Sequence, residues 1–140
     1  MSTVKQEIEK FRTSPWSLVI TRGSDVLLRS NMAGIHPLAQ SISHLGEELS
    51  RSMVWDRVIG RAAAFLIVHG GFRKAATPIV SKPALEILRK YKVPITYLYR
   101  VERILNTAQS DICPIERFSL DADTPEQFIK LYKRRYVVTA

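Results

Sequence analysis

The stretch Asp56-Arg57-Val58-Ile59-Gly60-Arg61-Ala62-Ala63-Ala64-Phe65-Leu66-Ile67-Val68 is apolar at nearly every position after its charged, glycine-bearing start. It reads as one helix, Asp56 to about His69, buried on most sides. Gly70-Gly71 closes it as a C-cap. Asp56 is a natural N-cap for that helix. A second reading makes it a carboxylate that accepts hydrogen bonds from a ligand. Gly60 falls one turn later on the same side. A glycine there weakens the helix, so it points to close approach by a ligand or by packed backbone.

The pattern on either side predicts alternating elements. Val4, Ile8 and Phe11 recur at helical spacing over residues 3–12, and Ser14-Pro15 ends that helix. Residues 17–21 and 25–29 read as a hairpin turning at Gly23-Ser24. Leu38, Ile42, Leu45 and Leu49 form one helical stripe, weakened at Gly46 by about 1 kcal/mol relative to alanine. Met53-Val54-Trp55 is a short apolar entry to Asp56. Residues 75–80 read as a strand that Pro78 keeps from full pairing. Ser81 caps a helix carrying Leu85 and Leu88, and residues 95–99 form another strand. Residues 106–112 read as loop, residues 113–116 as a helical turn, and residues 117–120 as extended. Thr124-Pro125-Glu126-Gln127 is a capping box that starts a last helix. Strands alternating with helices after a hairpin imply parallel pairing with both sheet faces covered.

Composition narrows the class. The chain has 140 residues, 46% hydrophobic and 24% charged, as expected of one domain spanning 1–140. Arg57 and Arg61 interrupt the longest apolar run, so no membrane span is expected. The first residues lack the apolar core of a signal peptide. Cys113 is the single cysteine, which excludes an internal disulfide. These features predict a cytoplasmic protein. The net charge is +8 and uneven: residues 1–70 hold 8 basic and 6 acidic side chains, residues 71–140 hold 13 and 7. A basic C-terminal half can attract nucleic acid or phosphorylated ligands. It can equally be a solvated face, and aromatic residues do not interleave with it as in single-strand binders.

Three helix starts carry candidate chemistry. Asp56 and Ser81 each follow a predicted strand, the position where open α/β sheets gather ligands. Ser81-Lys82-Pro83 is a sufficient cap, and is also a candidate anion site of amides, hydroxyl and ammonium. Cys113 is a poor N-cap residue at a position that favours a thiolate, although a lone cysteine is more often a small buried apolar group. Glu116, three residues on, can fold back onto that cap. His36, His44 and His69 lack metal-ligand spacing, and no phosphate loop or dinucleotide fingerprint is present.

Several of these residues fall within ordered motifs. They are Gly34-Ile35-x-Pro37-Leu38, Asp56-x-Val58-Ile59-Gly60-x-Ala62-Ala63-Ala64 and Ile79-Val80-Ser81-Lys82-Pro83-Ala84-Leu85. Val101-x-x-Ile104-Leu105-Asn106 and Cys113-Pro114-Ile115-Glu116 follow. With this set, over roughly residues 15–135, the chain resembles the prokaryotic domain-of-unknown-function family numbered 1893. The resemblance implies a cytidine deaminase-like fold: three α/β/α layers around a mixed five-stranded sheet. Zinc deaminases hold their metal with a His or Cys at one helix start and two Cys at the next, and a Glu moves protons. Asp56 and Ser81-Lys82-Pro83 lie about where those motifs would fall, without their ligands. Zinc needs three protein ligands, so neither zinc-dependent deamination nor a cofactor is expected.

The expected function is binding of a small polar ligand, a nucleotide or nucleoside derivative, in a zinc-less pocket between the Asp56 and Ser81 helix starts. Asp56 accepts hydrogen bonds and Gly60 admits the ligand. Ser81 and Lys82 hold an anionic group, and Asn106, Cys113 and Glu116 form the rim. One alternative is a metal-independent enzyme using Asp56 as base or Cys113 as nucleophile. Another is an RNA-binding or protein-interaction module using the basic half. A homodimer is compatible with the resemblance.

Overall fold

The computed structural model describes residues 2–106, 108 and 110–136. Helix α1 (Val4–Arg12) starts at a Thr3/Gln6 capping box. Strands β1 (Leu18–Arg22) and β2 (Asp25–Ser30) form the hairpin, with Gly23 at φ +59° in the turn. Helix α2 (His36–Leu45) follows, and at Gly46 the chain tightens into a 3-10 helix, Gly46–Arg51. The single stripe from Leu38 to Leu49 is thus split between two elements at the glycine.

The Asp56 stretch is not one helix. Met53–Asp56 is strand β3, Val58–Ile59 is strand β4, and helix α3 begins only at Arg61 and runs to Gly70. Gly71, at φ +75°, closes it. Strand β5 (Lys74–Ser81), helix α4 (Lys82–Lys90), strand β6 (Ile95–Val101), helix α5 (Pro114–Ser119) and helix α6 (Pro125–Tyr136) complete the order. Residues 117–119, expected to be extended, belong to α5 instead.

Among the described residues six strands form one mixed sheet, where five were expected. β1 pairs antiparallel with β2 and β3; β3, β4 and β6 pair parallel with β5. The sixth strand arises because β3 and β4 share one edge of β5. Trp55 lies opposite Ala76 and Ile59 opposite Val80, the same offset on both sides of the break. At that offset Arg57 lies level with Pro78, which has no N–H to offer a ladder. The Thr77 hydroxyl takes over locally, accepting from the Ile79 N–H at 3.2 Å.

Arg57 turns its bonding toward the α1–β1 linker. Its N–H donates to the Ser17 carbonyl at 3.2 Å. Its guanidinium donates to the carbonyls of Trp16, at 2.9 Å, and Ser14. Arg57→Met should therefore lower stability by about 1–3 kcal/mol, since two carbonyls lose a charged donor. Urea denaturation checks this, and an unchanged midpoint contradicts it.

Helices lie on both sides of the sheet. Two parallel crossovers in the same direction put α3 and α4 on one side. Val54 faces them and is fully buried in the main core. The next residue, Trp55, alternates to the other side, its ring centroid 6.3 Å from that of Phe11 on α1. α3 is enclosed as expected: Ala62 through Ile67 are all buried, and Phe65 stacks on Phe128 of α6 at 5.6 Å. No helix among the described residues is long and apolar enough to cross a membrane.

Candidate functional site

The start of α3 has no side chain of its own to cap it. Its N-cap is Gly60, in extended conformation, so its first amides need an acceptor from elsewhere. Glu116 of α5 supplies it. One carboxylate oxygen accepts from the Arg61 N–H at 2.6 Å, the other from the Ala62 N–H at 3.1 Å. The positive end of the helix dipole adds to both bonds. Glu116 does not fold back onto its own helix start, as its spacing suggested. Arg61 ties the same region together, donating to the carbonyls of Ser119 and, at 2.7 Å, Ala122.

Gly60 is explained by this contact. A Cβ there would overlap the Glu116 carboxylate. The close approach anticipated at this glycine is thus made by a protein side chain, bound to the α3 start as an anion would be.

Asp56 loses its expected role as a cap, because it ends β3 and α3 begins five residues later. It faces a cavity of about 160 Å³ shared with Gly34, Ile35, Val58, Gly60, Ala63, Ile104, Cys113, Ile115 and Glu116. Burial pushes its carboxyl up to about 7, although the backbone N–H groups of Val58 and Arg57 pull the other way. Burial also raises Glu116, against the Arg61 and Ala62 amides and the Arg61 charge. Gly34, at φ +90°, turns the chain at the cavity wall, where a side chain would strain the backbone.

The candidate residues divide into two sets. Asp56, Gly60, Cys113 and Glu116 converge on this cavity. Ser81, Lys82 and Asn106 are not among its lining residues. Ser81 is buried and caps α4, accepting from the Ala84 N–H at 3.2 Å. In the strand register Asp56 lies level with Thr77, four residues before Ser81. At about 3.3 Å per residue the two are separated by about 13 Å along the sheet. Lys82 is exposed, and Asn106 accepts from the Ser110 N–H at 3.0 Å within its own loop. Ile104 and Ile115, which the sequence offers as motif positions and not as site residues, supply apolar wall.

The donor set does not fit the zinc of a deaminase. Among the described residues no group of three His, Cys, Asp or Glu is placed to hold a metal ion. Both Glu116 oxygens are already engaged by amides. The cavity therefore has one carboxylate that serves no helix start, Asp56, which the Val58 and Arg57 amides approach, and a thiol, Cys113, on its wall.

Comparison with known proteins agrees with this fold. The crystal structure of a DUF1893 family protein (TM1506) from Thermotoga maritima matches with a TM-score of 0.85 and 22% sequence identity. The match covers 95% of this chain and 89% of that one. A search of curated proteins found no match. The model of the TM1506 domain of unknown function, DUF1893, matches residues 6–135. The helix cap, the interrupted strand and the cavity all lie within that span, and the chain belongs to the DUF1893 family.

Proposed function

We propose that the protein binds a small polar molecule of nucleobase size in the Asp56 cavity, on a deaminase-like scaffold without the zinc chemistry. The observation that carries this reading is Asp56 itself. It caps no helix, faces a cavity, and is held near neutrality by burial. A carboxyl in that setting can accept from a ring N–H or an exocyclic amine, or donate when protonated.

The cavity size limits the ligand. About 160 Å³ lies below the range of roughly 300–1,000 Å³ typical of sites that enclose drug-sized molecules. It suits a base or similar ring, with any sugar outside. No lysine or arginine is among the lining residues, so a phosphate adds nothing here. Ile35, Ala63, Ile104 and Ile115 offer apolar contact to the faces of a planar ring.

The test is a titration of the full chain with cytosine, adenine, cytidine and cytidine monophosphate, followed by amide chemical shifts. At least one base should move resonances around Asp56, Gly60 and Cys113. Asp56→Ala should weaken that binding about tenfold or more, in line with loss of a hydrogen bond to a charged group. The phosphorylated form should bind no tighter than its nucleoside. Absence of cavity shifts at millimolar base, or binding untouched by Asp56→Ala, overturns the reading.

A further inference from the structure

A larger groove lies between α2, α3 and α6, with a volume of about 400 Å³. Its floor is apolar: Leu66 is fully buried and Ile129 nearly so. Its walls carry His36, His69, Tyr132, Lys133 and Tyr136. The aromatic groups are arranged together. The His36 ring lies edge-on to Tyr136, with centroids 4.8 Å apart, and Tyr132 and Tyr136 are 5.2 Å apart.

The polar groups are also prepared. His36 Nδ1 and the Tyr132 hydroxyl share a hydrogen bond of 2.7 Å. With the phenol donating, the His36 proton sits on Nε2 and is available as a donor. Tyr132 is held protonated, because burial raises it and Tyr136 adds to that. His69 is kept neutral by burial first and by Lys133 next, against a smaller pull from Glu126. Lys133 is the one lysine or arginine among the described lining residues, and no aspartate or glutamate is among them. An apolar floor with a few convergent polar groups is the usual make-up of a small-molecule site.

We propose that this groove is a second ligand site, which takes a planar aromatic or heteroaromatic ring bearing a single carboxylate. The ring lies on Ile129 and Ile42, above Leu66, against Tyr136 and His36, and the carboxylate meets Lys133 and the imidazole N–H. One cation matches a monoanion and leaves a phosphate dianion under-compensated.

The test is calorimetric titration of the full chain with benzoate and nicotinate, and with benzamide and nicotinamide as uncharged counterparts. At least one acid should bind about tenfold tighter than its amide. Lys133→Gln, at an exposed position, should abolish that difference while the circular dichroism spectrum stays unchanged. Tyr136→Ala should weaken acid and amide together. Acid and amide binding equally, or neither binding at millimolar concentration, overturns the proposal. So does a preference for the acid that survives Lys133→Gln.

Discussion

Asp56→Asn is expected to make the protein more stable at pH 8, by about 2–4 kcal/mol. The sign follows from where the proton sits. Asp56 has an ordinary value of 3.8 and is pushed up to about 7 in the folded chain. Between those values the folded state holds a proton that the unfolded state has released. Stability therefore falls as pH rises from about 4 through 7, then levels off with the charge held partly buried at the cavity wall. Asparagine is close in shape, can still accept from the Val58 and Arg57 amides, and does not titrate. Below pH 4 the two proteins should differ little, and above pH 7 the gap should be complete. Glu116 is also raised, so any slope left in the variant in that direction belongs to it. Denaturation at pH 3.5, 5 and 8 tests the pattern, and a variant less stable than the parent at pH 8 would contradict it. A carboxyl that lowers stability while facing a cavity is consistent with the ligand-binding role proposed for Asp56.

Gly60→Ala should act in the opposite direction, with a loss of about 2–4 kcal/mol. The added methyl displaces the Glu116 carboxylate. The Arg61 and Ala62 amides then lose a charged acceptor near the buried start of α3. The diagnostic is non-additivity. Once Glu116→Ala has removed the carboxylate, Gly60→Ala should cost little more. Costs that add in the double variant would show that the glycine serves something other than this contact.

Most of the element order could be read from the chain, because it rests on local signals. The Thr124 cap of α6, the Gly23 turn, the Ser81 cap and the Gly71 helix end each depend on a few adjacent residues. The Asp56 stretch failed for the opposite reason. Val58-Ile59 becomes a strand only because β5 lies beside it, and the break at Arg57 reflects Pro78, which is 21 positions away in the register. Local apolar continuity cannot register a partner that distant. The same holds for Glu116: its spacing from Cys113 suggested a local cap, but packing of α5 on α3 delivers it to another helix. At the site, two family motifs, one holding Asp56 and Gly60 and the other Cys113 and Glu116, line the same cavity. Ser81 and Lys82 were placed with them on the expectation of two adjacent helix starts, which disappears when Asp56 moves back onto a strand. The His36–Tyr132 pair joins residues 96 positions apart, and neither position has a spacing that would announce it.

Asp56 caps no helix start, faces the cavity and has its carboxyl pushed up to about 7. The most direct test is a pH titration of its side-chain carboxyl carbon by NMR, assigned by comparison with Asp56→Asn. The expected midpoint is near 7, and it shifts when a bound base engages the carboxyl. A midpoint near 4 would contradict it, and would return Asp56 to the ordinary solvated carboxylates of the surface.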